Sequence, residues 1–125
     1  MAADARVLRG DRNHRAGRLA EESALREYER AGHRLVAARW RGKRGEVDLI
    51  LRDGPTLVFA EVKAGATHAA AAERIGPAQM RRILGAAQEH VAGLPDGLAT
   101  EMRFDAALVD GQGRVRIIRA AFGQD

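Results

Sequence analysis

The chain is expected to fold as an α/β domain: a mixed β-sheet of about five strands flanked by helices, in the order α-β-β-β-α-β-β. Three observations predict it. Short apolar runs bounded by turn residues recur at 34–40, 46–52, 56–63, 101–109 and 114–119. Two segments with helical spacing of apolar residues stand among them, one from Arg15 to Ala31 and one opening at Gly76-Pro77. The tight turn Asp53-Gly54-Pro55 makes its two strands antiparallel neighbours, so the sheet is not wholly parallel. At 125 residues, without repeats or a long linker, the chain makes one domain. Residues 1–14 lack periodicity and are set apart as a flexible basic N-terminal arm, leaving 15–125 as the folded unit.

The first helix stops at Gly32, a normal C-terminal signal. At 100° per residue Ala20, Ala24, Tyr28, Leu25, Gly17 and Ala31 share one arc. Glu21 lies inside that arc, Glu22 and Glu29 lie opposite, and Leu19 falls outside it. A strand follows to Trp40, then the basic turn Arg41-Gly42-Lys43-Arg44-Gly45. After the central hairpin, residues 64–75 are Ala-rich and fit either a loop or a frayed helix. Pro77 takes the favoured first position of the second helix. Met80, Ile83, Leu84, Ala87 and Val91 make its stripe, and Gly93 to Gly97 ends it. Asp110-Gly111-Gln112-Gly113 closes a last hairpin.

The formal charge of +4 is unevenly spread. Residues 1–44 carry 12 basic and 6 acidic groups, whereas 45–125 carry 9 basic and 11 acidic. A basic first third beside acidic strands suits a polyanion partner next to a bound cation, although an Arg-rich solvated surface would read the same way. The absence of cysteine excludes disulfides and thiolate metal sites. No segment approaches the ~18 apolar residues that span a bilayer, so the chain is expected in the cytoplasm, away from membranes.

Three ionisable residues interrupt the central strands. Asp48 breaks Gly45-Glu46-Val47-Asp48-Leu49-Ile50-Leu51, and Glu61 and Lys63 break Val58-Phe59-Ala60-Glu61-Val62-Lys63. Charged residues are seldom buried unless paired or bound to metal. If Arg52 pairs with Leu57 across the turn, Asp48 lies opposite Glu61, with Cβ atoms about 5 Å apart. Two carboxylates so close repel unless a cation separates them. Mg²⁺ suits that role, with Mn²⁺ as its substitute, because one or two carboxylates, phosphate and water commonly hold it. Lys63 would then orient water or stabilise charge on a phosphate oxygen, and Glu21 could reach the same place. The plainer alternative is a wet strand face on which Glu61 and Lys63 form a solvent pair contributing under ~1 kcal/mol.

Gly17-x3-Glu21, Gly45-Glu46-Val47-Asp48-Leu49-Ile50, Val58-Phe59-Ala60-Glu61-Val62-Lys63 and Arg103-Phe104-Asp105 occur in this order. Together, over about Gly17 to Phe122, they resemble the YraN (UPF0102) family, which is similar to Holliday-junction resolvases and PD-(D/E)xK restriction-endonuclease-like nucleases. The resemblance implies a restriction-endonuclease-like core. It further implies a metal held by Asp48, Glu61 and the carbonyl of Val62, with Lys63 on the attacking water and Glu21 completing the site. It nominates Gln79 as a polar residue facing the substrate, although its place off the apolar stripe favours a helix residue facing solvent. Gly65 departs from the basic residue many relatives carry there, a loss for which Arg44 or Arg74 could compensate.

The function expected is divalent-metal-dependent hydrolysis of DNA, branched or single-stranded forms included, with DNA preferred over RNA. The alternative is a non-catalytic nucleic-acid-binding protein that keeps the nuclease fold. In either case Arg12, Arg15, Arg41, Lys43 and Arg44 would engage phosphate. A third reading is a partner-binding protein with an exposed acidic strand pair. Resolvases act as symmetric dimers, so the resemblance carries a homodimer with it. His14, His33, His68 and His90 have no metal-ligand spacing and are expected at the surface. Trp40 is expected in the core or at its rim, and Asp105 in either a structural or a functional role.

Overall fold

The computed structural model describes the backbone of residues 4–123 and the side chains of residues 17–123. Helix α1 (Asp4–Arg30) leads into β1 (Arg34–Arg41), β2 (Glu46–Asp53) and β3 (Thr56–Ala64). Helices α2 (His68–Glu73) and α3 (Pro77–Ala92) and a 3₁₀ turn (Gly97–Ala99) precede β4 (Met102–Val109) and β5 (Val115–Phe122). The five strands form one sheet in sequence order. Among the described residues only β3 and β4 run parallel, joined by the long crossover that contains α2 and α3. The other three pairs are antiparallel. This is the mixed, helix-flanked sheet the sequence predicts.

Helices cover both faces. On one, Ala20, Ala24 and Tyr28 of α1 pack with Leu49, Leu51, Val58, Ala60, Val62, Ala107 and Val109. On the other, Ile83, Ala86, Ala87 and Val91 of α3 pack with Val47, Ile50, Leu57, Phe59, Phe104 and Phe122. Burying each large side chain contributes about 1.5–3 kcal/mol. The predicted arc of α1 is thus the buried one, and Leu19 is exposed as expected. Two details differ: Gly17 and Ala31 lie in the open, and Ala86 joins the stripe of α3.

Helix α1 begins earlier than predicted. Residues 4–14 of the expected arm continue it, and residues 1–3 lie outside the described residues. At its other end Gly32, at φ 90, turns the chain, while the N–H groups of Gly32 and His33 donate to the carbonyls of Glu29 and Tyr28. The undecided stretch 64–75 contains α2, capped by the Thr67 hydroxyl, which accepts from the Ala70 N–H at 3.0 Å. Ala71 buries against Ala106 and Leu108. Gly65 has a steric cause here, since a Cβ on it would meet the Ala71 nitrogen at 2.7 Å.

His33 overturns the expectation of a surface histidine. It is 3 % exposed, because α1 hands the chain to β1 beneath a polar cluster formed with Asp53 and Arg103. Arg103 holds that cluster together. Its guanidinium donates to both carboxylate oxygens of Asp105 at 2.9 Å, to Asp53 at 2.9 Å, and lies 2.9 Å from His33 Nε2. Asp105, fully buried, also accepts from the Tyr28 hydroxyl at 2.8 Å and the Ala120 N–H at 3.0 Å. Burial, and then the adjacent Asp105 carboxylate, push the Tyr28 hydroxyl up from its ordinary pKa, keeping it a neutral donor. Asp105 is therefore structural. His90 also leaves the surface in part: its ring stands edge-on to Trp40 and Phe59, with centroids 5.0 and 5.9 Å away, and burial lowers its pKa. His68 Nε2 lies 2.9 Å from the Arg114 carbonyl, and the His14 side chain lies outside the described residues.

Candidate functional site

The hairpin register sets the site. Arg52 pairs with Leu57, and the β2–β3 ladder runs from Asp53–Thr56 to Leu49–Ala60. Beyond the last pair the next positions are Asp48 and Glu61. There the Asp48 side chain replaces a backbone acceptor, taking the Val62 N–H at 2.8 Å. The strict alternation expected for β2 slips at the same point, since Val47 and Ile50 both pack on the α3 side. Val62 enters the site through its N–H, while its side chain packs on the α1 side.

Burial is the first cause that raises the Asp48 carboxyl to about 7, and the nearby charge of Glu61 is the second. Glu21 adds to the rise, whereas the Val62 N–H and Lys63 oppose it. Glu61 is 2 % exposed and is not left alone: Lys63 Nζ lies 3.1 Å from one oxygen, and Gln79 Nε2 donates to the other at 3.2 Å. The solvent-pair alternative for Glu61 and Lys63 is thereby set aside, because this carboxylate has almost no contact with water. Gln79 itself stands at the start of α3, where its carbonyl oxygen accepts from Arg82 at 2.8 and 3.3 Å. It is joined to the carboxylate cluster rather than turned to solvent.

Glu21 comes from α1 and is near enough to influence Asp48, yet its own partner is Arg39, whose Nε donates to it at 2.8 Å. Sequence reasoning missed Arg39. Nothing distinguishes it from the other arginines of the chain, since its backbone carries the signal: φ is 52° within a β-strand. A left-handed conformation costs a residue with a Cβ about 1–2 kcal/mol, and such strain gathers at functional sites.

The basic turn between β1 and β2 lies on α3. Both oxygens of Glu89 accept backbone N–H groups, from Lys43 at 2.8 Å and from Arg44 at 2.6 Å. These bonds, that from Lys43 foremost, hold the Glu89 carboxyl below its usual range. The approach is close: a Cβ on Gly45 would meet the Arg82 carbonyl at 3.0 Å, and one on Gly85 would meet the Arg44 side chain at 2.8 Å. Arg44 donates to Gln88 at 2.9 Å and Arg41 to Glu46 at 3.2 Å. Arg74, a suggested substitute for the base missing at 65, donates to the Ala64 carbonyl at 3.0 Å. The side chains of Arg12 and Arg15 lie outside the described residues. Glu89→Ala should release the turn, seen as faster amide hydrogen exchange at Lys43 and Arg44 with the exchange of β3 unchanged.

Residues 20–109 match the model of a family described as uncharacterised protein family UPF0102. The chain belongs to the UPF0102 family. A UPF0102 protein of Ruegeria pomeroyi is 56 % identical to it over 92 % of this chain and 94 % of its own length. One from Cereibacter sphaeroides is 55 % identical over 92 % and 98 %. Another, from a Ruegeria species, is 51 % identical over 98 % of both chains. The UPF0102 match begins at Ala20, next to Glu21, and ends with β4, so it takes in Glu21, Arg39, Asp48, Glu61, Lys63 and Gln79. Among the described residues, no helix of this UPF0102 chain is long and apolar enough to cross a membrane.

Proposed function

We propose that this UPF0102 chain is a divalent-metal-dependent nuclease hydrolysing phosphodiester bonds in DNA, branched or single-stranded forms among its substrates. The observation that carries this reading is the convergence of Asp48, Glu61 and Lys63 where the β2–β3 ladder stops. The donor chemistry fits Mg²⁺ or Mn²⁺: hard carboxylate oxygens of Asp48 and Glu61, with the Val62 carbonyl as a further oxygen. Burial, and then the charge of Glu61, raise the Asp48 carboxyl to about 7, and a divalent cation would relieve the second of these. Bound there, the ion would polarise the phosphate and lower the pKa of a coordinated water. Lys63, beside Glu61, would orient the attacking water and stabilise charge developing on phosphate oxygen. Gln79 holds Glu61 in place from α3, and the turn pinned by Glu89 presents Lys43 and Arg44 to the backbone of the substrate. A four-way junction, with two equivalent strands to cut, would call for a homodimer. DNA in the cytoplasm is the partner this reading requires.

One observation favours a second reading, a nucleic-acid-binding protein that keeps the fold without catalysis. Among the described residues no three Asp, Glu, His or Cys side chains are grouped to hold a metal, and Glu61 already has Lys63 and Gln79 as partners. Cleavage of labelled linear, single-stranded, flapped and four-way-junction DNA with Mg²⁺ or Mn²⁺ separates the two. Metal-dependent cutting that falls at least about a hundredfold in Asp48→Ala, with folding retained, is the expected result. Equal, salt-sensitive binding by both proteins with no cutting would replace the first reading by the second.

A further inference from the structure

We propose that Arg39 is a phosphate-binding residue of this site, held in reserve on Glu21 until a nucleic-acid backbone draws its guanidinium away. The inference rests on the nuclease reading above and adds to it a substrate contact coupled to a carboxylate. Four observations carry it. Arg39 keeps a left-handed conformation, φ 52°, in the middle of β1, which aims its side chain toward α1 rather than along the alternation of the strand. Its Nε lies 2.8 Å from Glu21, joining the strand to the helix at the site. The arginine side chain is 47 % exposed, so its guanidinium can turn to a ligand arriving from solvent, whereas Glu21, at 19 %, stays held at the edge of the site. Glu46 and Asp48 add to the field around the guanidinium, which places it among the acidic groups a phosphate would otherwise find repulsive.

An arginine fork matches phosphate in geometry as well as charge. A phosphate arriving at the Lys63 side of Asp48 would compete with Glu21 for that fork. Its capture would leave Glu21 without a counter-charge beside Asp48. The free protein therefore neutralises its own acidic cluster, and the bound substrate takes over the same cation.

The test is a double-mutant cycle on DNA affinity, measured in EDTA so that no turnover or metal contributes. Glu21→Gln frees Arg39 and should tighten binding of a single-stranded oligonucleotide about tenfold. In the Arg39→Asn background the same change should tighten it no more than about twofold, the part owed to removing one negative charge. Asn is chosen because it tolerates positive φ, so the backbone of β1 is preserved. Arg39→Asn alone should also reduce the slope of log affinity against log salt by about one. Equal tightening in both backgrounds, or an unchanged slope, overturns the role of Arg39 while leaving the nuclease reading intact. Failure of the unaltered protein to bind or cut any nucleic acid overturns both.

Discussion

Asp48→Asn will stabilise the metal-free protein at pH 8, by roughly 1–3 kcal/mol, and on the nuclease reading it will also abolish metal-dependent cleavage. Burial and the Glu61 charge hold the Asp48 carboxyl at about 7, against 3.8 for the group in water. Between those values the native protein binds a proton that the unfolded chain has already released. Stability conferred by that proton is present below about pH 4 and is lost as pH rises toward 7, the reverse of an ordinary paired carboxylate. An amide removes the charge, and its oxygen can still accept the Val62 N–H. Urea unfolding of both proteins at pH 4.5 and pH 8 in EDTA checks this: the advantage of the variant should be small at the lower pH and largest at the higher. Mg²⁺ should restore the wild-type protein at pH 8 and leave the variant unmoved, since binding to the native state alone stabilises it. A variant no more stable than wild type at pH 8 would show that Asp48 carries no repulsion to be relieved.

Asp105→Ala will destabilise the domain by about 3–5 kcal/mol, a large share of the 5–15 kcal/mol that holds a domain of this kind. The carboxylate is fully buried and receives the Arg103 fork, the Tyr28 hydroxyl and the Ala120 N–H. Its removal strands a guanidinium, a phenol and an amide in a place water reaches poorly. Tyr28→Phe, which removes one donor and leaves Asp105 its other partners, should cost only about 1 kcal/mol. Denaturant midpoints for the two variants should therefore differ widely. Near-equal costs would mean that the bond Arg103 already makes to Asp53 is enough to hold its charge. The network ties α1, β4 and β5 together, with Asp105 beside Ala60 and β3 between it and Asp48, so its loss should lower stability before it disturbs the Asp48–Val62 bond.

Residues that act through local rules were legible in the chain. The stripe of α3 follows from apolar spacing and Pro77, and the end of α1 follows from Gly32, because helix periodicity and caps are properties of short stretches. The central hairpin was legible for the same reason: Asp53-Gly54-Pro55 sets the register, and the register brings Asp48 toward Glu61. Charges at buried strand positions then pointed to the site without any tertiary information.

What depended on distant segments was not legible. His33 reads as a surface residue until Arg103, seventy positions later, is folded over it. Gln79 reads as a solvent-facing helix residue until the crossover brings α3 across β3 and sets its amide against Glu61. Gly65 reads as a lost phosphate contact until α2 packs close enough to forbid any side chain there. Arg39 is the plainest case, since its importance lies in a backbone angle and in a partner on another element.

Sequence alone therefore determined the family, the order of the strands and of the two long helices, and the two carboxylates and lysine of the candidate site. Tertiary structure decided the partners of those groups: Gln79 and Lys63 on Glu61, Val62 on Asp48, and Arg39 on Glu21. The physical reason is range. Periodicity, turns and caps are written into neighbouring residues, whereas the burial and charge that set the chemistry of a carboxylate come from whichever elements the fold packs around it.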